Sequence, residues 1–141
     1  MYKKYRKGVF CVVHSGSSYL LLHRKLHWKG WEFPKGGAFA REKMESAAKR
    51  EVGEETGLKV TNLKKFSFKG KFIYDKQTQH ERKAKGFSYV LFACEVKKTR
   101  VKISKREHDG FKWMSYSGAL KSLKWGNQKR ALKIVNRYNK I

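Results

Sequence analysis

The chain has 141 residues, with 35 lysines and arginines against 11 aspartates and glutamates, which gives a net charge of +24. This length supports one hydrophobic core, and no linker, repeat or composition break divides it, so we expect a single domain over residues 1–141. No stretch approaches the roughly 20 apolar residues that a membrane-spanning helix needs, so we expect no such helix.

The first residues do not resemble a signal peptide, because the apolar run at residues 9–13 is too short and no small-residue cleavage site follows it. The two cysteines, Cys11 and Cys94, each lie in an apolar run typical of a strand, and we expect both to be reduced core residues. Reduced cysteines are typical of intracellular proteins. We therefore expect a cytoplasmic protein with no membrane partner, and we expect it to be a monomer.

Runs of aliphatic residues predict strands, and apolar residues at helical spacing predict helices. In chain order the predicted elements are a hairpin of strands 8–14 and 19–23, a helix at 46–56, strands 61–74, 86–96 and 110–114, and helices 117–123 and 127–139. Residues 75–85 are expected to form a polar connection, and Asn127 is the expected N-cap of the last helix. In that helix Ala131, Leu132, Val135 and Tyr138 share one face. Strands interleaved with helices indicate an α/β fold with a three-layer arrangement.

Five of the 11 acidic residues lie within residues 36–58, although the whole chain is strongly basic. In the predicted helix Glu51, Glu54 and Glu55 are spaced i, i+3 and i+4, so their carboxylates project from one face and repel one another. They also lie near the helix C-terminus, where the macrodipole is negative, so the helix is destabilised unless a cation neutralises them. Hard oxygen ligands select Mg²⁺ or Mn²⁺, and Arg50 is placed to pair with Glu54.

The wider window distinguishes this cluster from an ordinary solvated helix face, which is what most charge runs are. Nine residues fill every fixed position of the pattern G-x5-E-x7-R-E-U-x-E-E-x-G-U, in which U is a bulky aliphatic residue: Gly36, Glu42, Arg50, Glu51, Val52, Glu54, Glu55, Gly57 and Leu58. This window resembles a Nudix box. The resemblance implies the mixed-sheet Nudix fold, and a catalytically inactive relative remains an alternative.

The resemblance also implies roles for particular residues. Glu51, Glu54 and Glu55, with the Gly36 carbonyl, would hold Mg²⁺ or Mn²⁺ and so activate water against a phosphorus atom. The proton would go to Glu55 or to Glu107, and the choice between these two stays open. For Glu107 the competing interpretation is an exposed loop residue.

Three segments outside this window narrow the substrate class. Tyr74 lies 16 residues beyond Leu58, residues 107–113 read EHDGFKW with Gln128 following in the last helix, and residues 31–37 read WEFPKGG. These segments are similar to those of asymmetric bis(5′-nucleosyl)-tetraphosphatases. The resemblance implies cleavage of diadenosine tetraphosphate to ATP and AMP. Residues 40–42 depart from it, since they read Ala-Arg-Glu where many relatives have Pro-Gly-Glu.

Substrate contacts are assigned by residue type. Lys35, immediately before the Nudix-like window, is our first choice for a phosphate contact, because its ammonium is a compact point charge. Lys83 and Lys85 are weaker choices and are more typical of solvated loop lysines. We expect Tyr74, with Tyr89 as the alternative, to stack on adenine, although strand tyrosines more often serve packing.

The excess of basic residues requires a separate hypothesis. Outside the Nudix-like window the chain has 31 basic and six acidic residues, spread from Lys3 to Lys140. A field of this size attracts polyanions, and interleaved aromatic residues are typical of nucleic-acid binders. The alternatives are therefore a Nudix RNA 5′-pyrophosphohydrolase or decapping enzyme, an enzyme of highly phosphorylated inositols, or a basic RNA-binding Nudix-fold protein without turnover. The charge could also reflect only the composition of the host.

Overall fold

A computed structural model describes residues 1–140 of the chain. Seven strands and four helices are assigned within these residues. The strands are β1 (Tyr5–Ser15), β2 (Ser18–Arg24), β3 (Gly30–Glu32), β4 (Lys35–Gly37), β5 (Val60–Ile73), β6 (Gly86–Val96) and β7 (His108–Met114). The helices are α1 (Met44–Thr56), α2 (Lys76–Arg82), α3 (Tyr116–Ser122) and α4 (Gly126–Asn139).

All seven strands belong to one sheet, whose main order is β3-β2-β1-β6-β5, with β4 paired to β1 and β7 paired to β2. The central pair β1 and β6 is parallel, whereas the other pairs are antiparallel. This is a mixed sheet between helices, so the predicted three-layer α/β arrangement, which the Nudix resemblance also implies, is confirmed.

Each face of the sheet is covered by different helices, because successive side chains of a strand point to opposite sides. Val9, Cys11 and Val13 of β1 belong to one core with residues of α1, and both cysteines are free and buried. Phe10 and Val12 belong to the other core, which includes buried residues of α3 and α4. The helix α1 therefore lies across the sheet from α4.

Several predicted boundaries are confirmed within a few residues. The hairpin of β1 and β2 turns at Gly16, which has a positive φ of 58°, and α1 ends at Gly57 in the left-handed conformation with φ of 73°. The strand β1 begins earlier than predicted, because Tyr5 to Lys7 pair with the start of β6. None of the described helices is long and apolar enough to cross a membrane.

Two predictions about helices were wrong. The polar connection contains α2, which begins after Asp75 because the Asp75 carboxylate accepts a hydrogen bond of 2.7 Å from the Thr78 amide. Asn127 is not the N-cap of the last helix, because α4 begins at Gly126 and Trp125 occupies the N-cap position in extended backbone. The Asn127 side chain instead accepts a hydrogen bond from the next amide, within the first turn. The short strands β3 and β4 were not predicted.

Candidate active site

The strand β4 places Gly36 against the carboxylate of Glu51 on α1. A Cβ atom at Gly36 would lie 2.1 Å from the Glu51 carboxyl carbon, so any side chain there would displace this glutamate. The close approach explains why glycine is needed at the start of the pattern and a glutamate 15 residues later.

Arg50 holds the acidic residues of this region in a hydrogen-bonded network. Its guanidinium donates to both oxygens of Glu42 at 2.9 Å and to the Gly37 carbonyl at 2.9 Å. It also donates to Glu51 at 3.0 Å and to Glu54 at 3.1 Å. The predicted pairing of Arg50 with Glu54 is present, and the hydrogen bonds with Glu42 and Glu51 raise the pKa of the guanidinium above its ordinary value.

The three helix glutamates differ in burial. The Glu54 side chain is 57% exposed, whereas Glu51 and Glu55 are buried. Burial raises the pKa of the Glu51 carboxyl. Burial, followed by the adjacent Glu51, raises the pKa of Glu55 well above its ordinary value. Two acids whose ionised forms are disfavoured by their own environment indicate a site built for a missing positive charge.

A further acidic residue, Glu107, lies next to α1 and immediately precedes β7. Glu55, Glu107 and His108 each offer a ligand atom within 4.8 Å of the other two. Among the described residues, Glu55 Oε2 and His108 Nδ1 are buried without a hydrogen-bond partner. Buried polar atoms are normally paired, so these two atoms favour a cation or a proton between them. The carboxylates of Glu55 and Glu107, together with those of Glu51 and Glu54, fit a hard divalent cation.

Glu32 connects these acids to the basic part of the site, and the sequence analysis gave it no role. Its side chain is 1% exposed, and it accepts hydrogen bonds from Lys35 at 2.7 Å, Arg24 at 3.0 Å and His108 Nε2 at 2.7 Å. Burial alone would raise the pKa of Glu32, but the charges and hydrogen bonds of these three partners lower it.

The ionised Glu32 carboxylate only accepts hydrogen bonds, so His108 Nε2 is the donor. The Nδ1 atom of the ring faces Glu55, 3.9 Å from Glu55 Oε1. A signal for Glu32 was present in the sequence, because it is the first acidic residue of the chain and stands among apolar neighbours. Such a residue is expected to be buried only when basic side chains pair with it.

A cavity of about 700 Å³ adjoins these groups, and α1 contributes Glu51, Glu54 and Glu55 to its wall. The predicted residues Gly36, Lys35, Tyr74 and Glu107 also line it.

The other predicted substrate contacts lie elsewhere. Tyr89 is 3% exposed in the core, with its ring 5.2 Å from that of Phe10. Lys83 is the exposed C-cap of α2, and the Lys85 ammonium lies 5.8 Å from the Tyr5 ring. These three residues are not part of the cavity lining, because two belong to other surfaces and one is enclosed by the sheet core.

The rest of the cavity wall is basic and aromatic. Its basic residues are Arg6, Arg24, Lys35, Lys71, Arg82 and Arg106, and its aromatic residues include Trp28, Phe72, Tyr74 and Trp125. The rings of Trp28 and Trp125 meet edge to face at 5.6 Å. The Tyr74 hydroxyl accepts hydrogen bonds from Arg6 at 3.4 Å and Arg82 at 3.2 Å. Apart from Lys35 and Tyr74, sequence reasoning missed these residues, because they come from separate segments of the chain.

The cavity thus brings together carboxylates that require a cation, basic side chains that attract phosphates, and aromatic rings that can stack on bases. This arrangement fits a substrate with several phosphates and at least one nucleobase.

Comparisons with known proteins agree with this geometry. The model of the NUDIX domain matches residues 4–135. An RNA pyrophosphohydrolase of Pseudomonas paraeruginosa is 27% identical over 143 residues, covering 92% of this chain and 90% of that protein. An RNA pyrophosphohydrolase of Stutzerimonas stutzeri is 28% identical with the same coverage.

Two solved structures illustrate the similarity of the fold. The E. coli dihydroneopterin triphosphate pyrophosphohydrolase superposes with a TM-score of 0.76 at 19% identity, over 94% of this chain and 97% of that one. A C. elegans Ap4A hydrolase, solved as a binary complex, gives a TM-score of 0.65 at 22% identity, over 94% of this chain and 96% of that one.

Proposed function

The chain belongs to the Nudix family and is a Nudix pyrophosphohydrolase, and from this premise we propose that it removes pyrophosphate from the 5′ end of triphosphorylated RNA. One observation carries the proposal: a single cavity joins the carboxylates of α1 to a wall of basic and aromatic side chains. The first group suits the hydrolysis of a phosphoanhydride bond, and the second suits a polyanionic nucleotide chain.

The residues that would hold a divalent cation are Glu51, Glu54 and Glu55, with the Gly36 carbonyl as a further oxygen ligand. We propose Mg²⁺, with Mn²⁺ as the alternative, because all these ligands are hard oxygens. When bound, such an ion supplies Lewis-acid stabilisation of a phosphoryl oxygen and lowers the pKa of water. Arg50 keeps Glu51 and Glu54 in place through its hydrogen bonds.

Two carboxylates are candidates for taking the proton from the attacking water. Glu55 is buried and its pKa is raised, which brings the carboxyl closer to the range in which a general base works at neutral pH. Glu107 also lines the cavity, within 4.8 Å of a Glu55 oxygen when ligand atoms are compared. The pair is close enough that either residue could serve.

Phosphate groups of the substrate would meet Lys35 and Arg24, whose positions are held by hydrogen bonds to Glu32. Arg6 lines the same cavity. The bases would meet the rings of Tyr74, Trp28 and Trp125. We assign no substrate contact in the cavity to Tyr89, Lys83 or Lys85.

Two observations favour RNA over a free nucleotide. The curated relatives that cover about nine-tenths of the chain are named RNA pyrophosphohydrolases. Outside residues 36–58 the chain has 31 basic residues against six acidic ones, which exceeds what one triphosphate can use. Neutralising phosphates along a nucleic-acid chain is the general source of its affinity for basic proteins.

Diadenosine tetraphosphate is the second candidate substrate, cleaved to ATP and AMP. It is favoured by Tyr74, which lines the cavity, is 7% exposed and has its ring packed against Arg82. The residues 31–37, similar to those of the tetraphosphatases, supply Lys35 to the same wall.

A product analysis separates these functions. The pure protein is incubated with Mg²⁺ at near-physiological salt, in one reaction with a 5′-triphosphorylated RNA and in another with diadenosine tetraphosphate. Rapid pyrophosphate release from RNA with slow dinucleotide turnover supports the proposal. Release of ATP and AMP with the RNA nearly untouched would replace it with the tetraphosphatase. A protein that binds RNA but cleaves neither substrate would be a binding module.

A further inference from the structure

Side chains of the edge strand β5 and of the helix α4 meet along a strip of surface, which we call the β5–α4 groove. It is lined by Lys64, Phe66 and Phe68 of β5 and by Arg130 and Tyr138 of α4. The rings of Phe66 and Tyr138 lie 5.4 Å apart, and the Arg130 guanidinium carbon lies 5.2 Å from the Phe68 ring centre. Side chains of the helix and of the outer strand therefore meet at two places along this strip.

The aromatic rings are only partly covered. Phe66 and Phe68 pack against the α4-side core while remaining partly exposed, and Tyr138 is 46% exposed. Tyr138 shares the predicted face of the last helix with buried residues, and its ring stays half exposed because it meets β5, the last strand of the sheet.

The charge of the groove has one sign. Lys64 lies on the face of β5 that carries Phe66, whereas Lys65 contacts Glu45 of α1 on the other face of the sheet. The basic side chains that contact the rings of the groove are therefore Lys64 and Arg130, and neither β5 nor α4 contains a carboxylate. The Lys64 ammonium lies 5.9 Å from the Phe66 ring and 5.5 Å from the Tyr138 ring. Basic side chains interleaved with partly exposed aromatic rings are typical of surfaces that bind single-stranded nucleic acid.

One end of the groove opens into the active-site cavity. The last residues of β5, with Phe72 and Ile73, and the first residues of α4, with Asn127 and Gln128, all line that cavity. Beyond Lys64 and Tyr138 the groove reaches a smaller cavity of about 300 Å³, where Glu95 introduces an acidic side chain. A helix of 14 residues is about 20 Å long, so the basic path leads roughly that far from the active site.

We propose that the β5–α4 groove binds the single-stranded chain of an RNA whose 5′ end occupies the active-site cavity, an inference that rests on the proposed function. Phosphates of the chain meet Lys64 and Arg130, and its bases stack on the partly exposed rings. Single-stranded RNA is the favoured partner over a duplex, because only unpaired bases can turn towards aromatic side chains.

Lysines on an edge strand also have a simpler explanation, since they discourage the strand from pairing with other molecules. That role requires neither the aromatic rings of the groove nor the basic residues of α4. The two interpretations therefore differ in what the substitution of Arg130 and Tyr138 does to RNA binding.

The first experiment measures the dissociation constant for a fluorescent single-stranded RNA of about twelve nucleotides with a 5′ triphosphate, a length within the site sizes of such proteins. EDTA is present so that the RNA stays intact. We expect the double variant Lys64→Ala/Arg130→Ala to bind about tenfold more weakly than the unaltered protein. The slope of log affinity against log salt should fall in magnitude by about 1.4, the value for two contacts to a single strand.

The matched control is Lys49→Ala/Lys98→Ala. It removes the same charge from the other side of the sheet, where Lys49 lies on α1 and Lys98 lies over Trp113. An equal loss of affinity in both double variants would overturn the proposal, because it would show a general effect of net charge.

A second pair of variants tests the aromatic contact. Tyr138→Ala should weaken binding about tenfold, the effect of losing one stacked base, whereas Tyr138→Phe should retain it. Thermal melting checks that each variant is folded. If Tyr138→Ala binds as the unaltered protein does, or if polyglutamate competes as well as single-stranded RNA, the groove is not a nucleic-acid site.

Turnover separates this inference from the proposed function. A 5′-triphosphorylated dinucleotide is too short to follow the groove, so the Lys64→Ala/Arg130→Ala variant should hydrolyse it at the unaltered rate and show a higher KM only for the longer RNA. If every variant had equal KM values for the dinucleotide and for the longer RNA, the proposed binding of RNA in the groove would be wrong and the proposed function would stand. If RNA binding depended on the groove but neither RNA were hydrolysed, the proposed function would be wrong and the proposed RNA-binding groove would stand.

Discussion

The helices α1 and α4 cover opposite faces of one sheet and differ in where they place their charged side chains. Both bury small or aliphatic residues against the strands. The helix α1 also buries two carboxylates, Glu51 and Glu55, whereas the basic residues of α4 project away from the core and leave only Gln128 as a buried polar side chain.

This difference suits α1 to the proposed small cation and α4 to the proposed large anion. A buried carboxylate is costly unless a positive charge compensates it or it takes up a proton, so the buried acids of α1 favour the binding of a cation or of protons. Exposed lysines and arginines cost little and can contact a flexible polyanion at many points. Burial, more than the number of charges, distinguishes the two functions.

The largest expected effect comes from removing one charge of α1. Glu54→Gln should lower kcat by about 10³-fold if Glu54 is the metal ligand proposed above, since losing such a ligand forfeits several kcal/mol of transition-state stabilisation. Steady-state kinetics with 5′-triphosphorylated RNA measures this, and RNA binding should survive because the basic wall is intact.

Glu45→Gln is the control for that change, since Glu45 lies on the same helix but is exposed, 4.0 Å from Lys65. Its kcat should stay near that of the unaltered protein. Equal losses in both variants would mean that general repulsion, and not a metal ligand, had been removed from α1.

The second prediction concerns Glu32, which joins the acidic and basic regions. Glu32→Ala should lower the free energy of unfolding by about 3–5 kcal/mol, because Arg24 is then buried without its partner. Denaturant unfolding measures the change. Asp109→Ala removes the carboxylate of an exposed pair with His23 and should leave stability nearly unchanged. A small effect of Glu32→Ala on the free energy of unfolding would show that stability does not depend on the contacts of Glu32 with β2, β4 and β7.

The third prediction tests whether α1 requires a cation for stability. Mg²⁺ at about 100 times its dissociation constant should stabilise the protein by about 2.7 kcal/mol, which corresponds to roughly 5–10 °C in Tm. A Glu51→Gln/Glu55→Gln variant should lose this dependence, whereas Lys133→Ala/Arg137→Ala on α4 should keep it. A Mg²⁺ effect that persists without both glutamates would place the cation elsewhere.

The smallest effect is expected from pH in the metal-free protein. Burial raises the pKa of Glu55 above its ordinary value of 4.5, so the folded protein holds this proton more tightly than the unfolded chain does. That contribution to stability is complete below about pH 4.5 and is lost as the pH rises through the folded pKa. The Tm in EDTA should therefore fall towards neutral pH, and saturating Mg²⁺ should reverse the trend.

His14 changes the stability in the opposite direction. Burial lowers its pKa, so its contribution to the free energy of unfolding is lost as the pH falls. The difference between the unaltered protein and Glu55→Gln isolates the carboxyl from His14. Parallel curves of Tm against pH for the two proteins would show that Glu55 does not cause the pH dependence of stability.

The sequence predicted most of the fold because the relevant signals are local. The hairpin, the helix α1 and its end at Gly57 follow from short patterns of apolar residues and one glycine. The helix α2 was missed because none of its residues is buried, so it lacks an apolar stripe, and its start depends on the Asp75 side chain. The N-cap of α4 was misplaced because Trp125, which packs against Trp28, precedes the helix instead of Asn127.

By itself, the sequence determined the family and the acidic cluster, because the residues of the Nudix box lie within 23 consecutive positions and the helical repeat sets their relative directions. Only the tertiary structure decided the rest of the site. Glu32 meets His108 across 76 positions of sequence, and β5 meets α4 only because both flank the same sheet edge. Contacts between distant segments depend on strand order and packing, and no local pattern of residue types encodes that geometry.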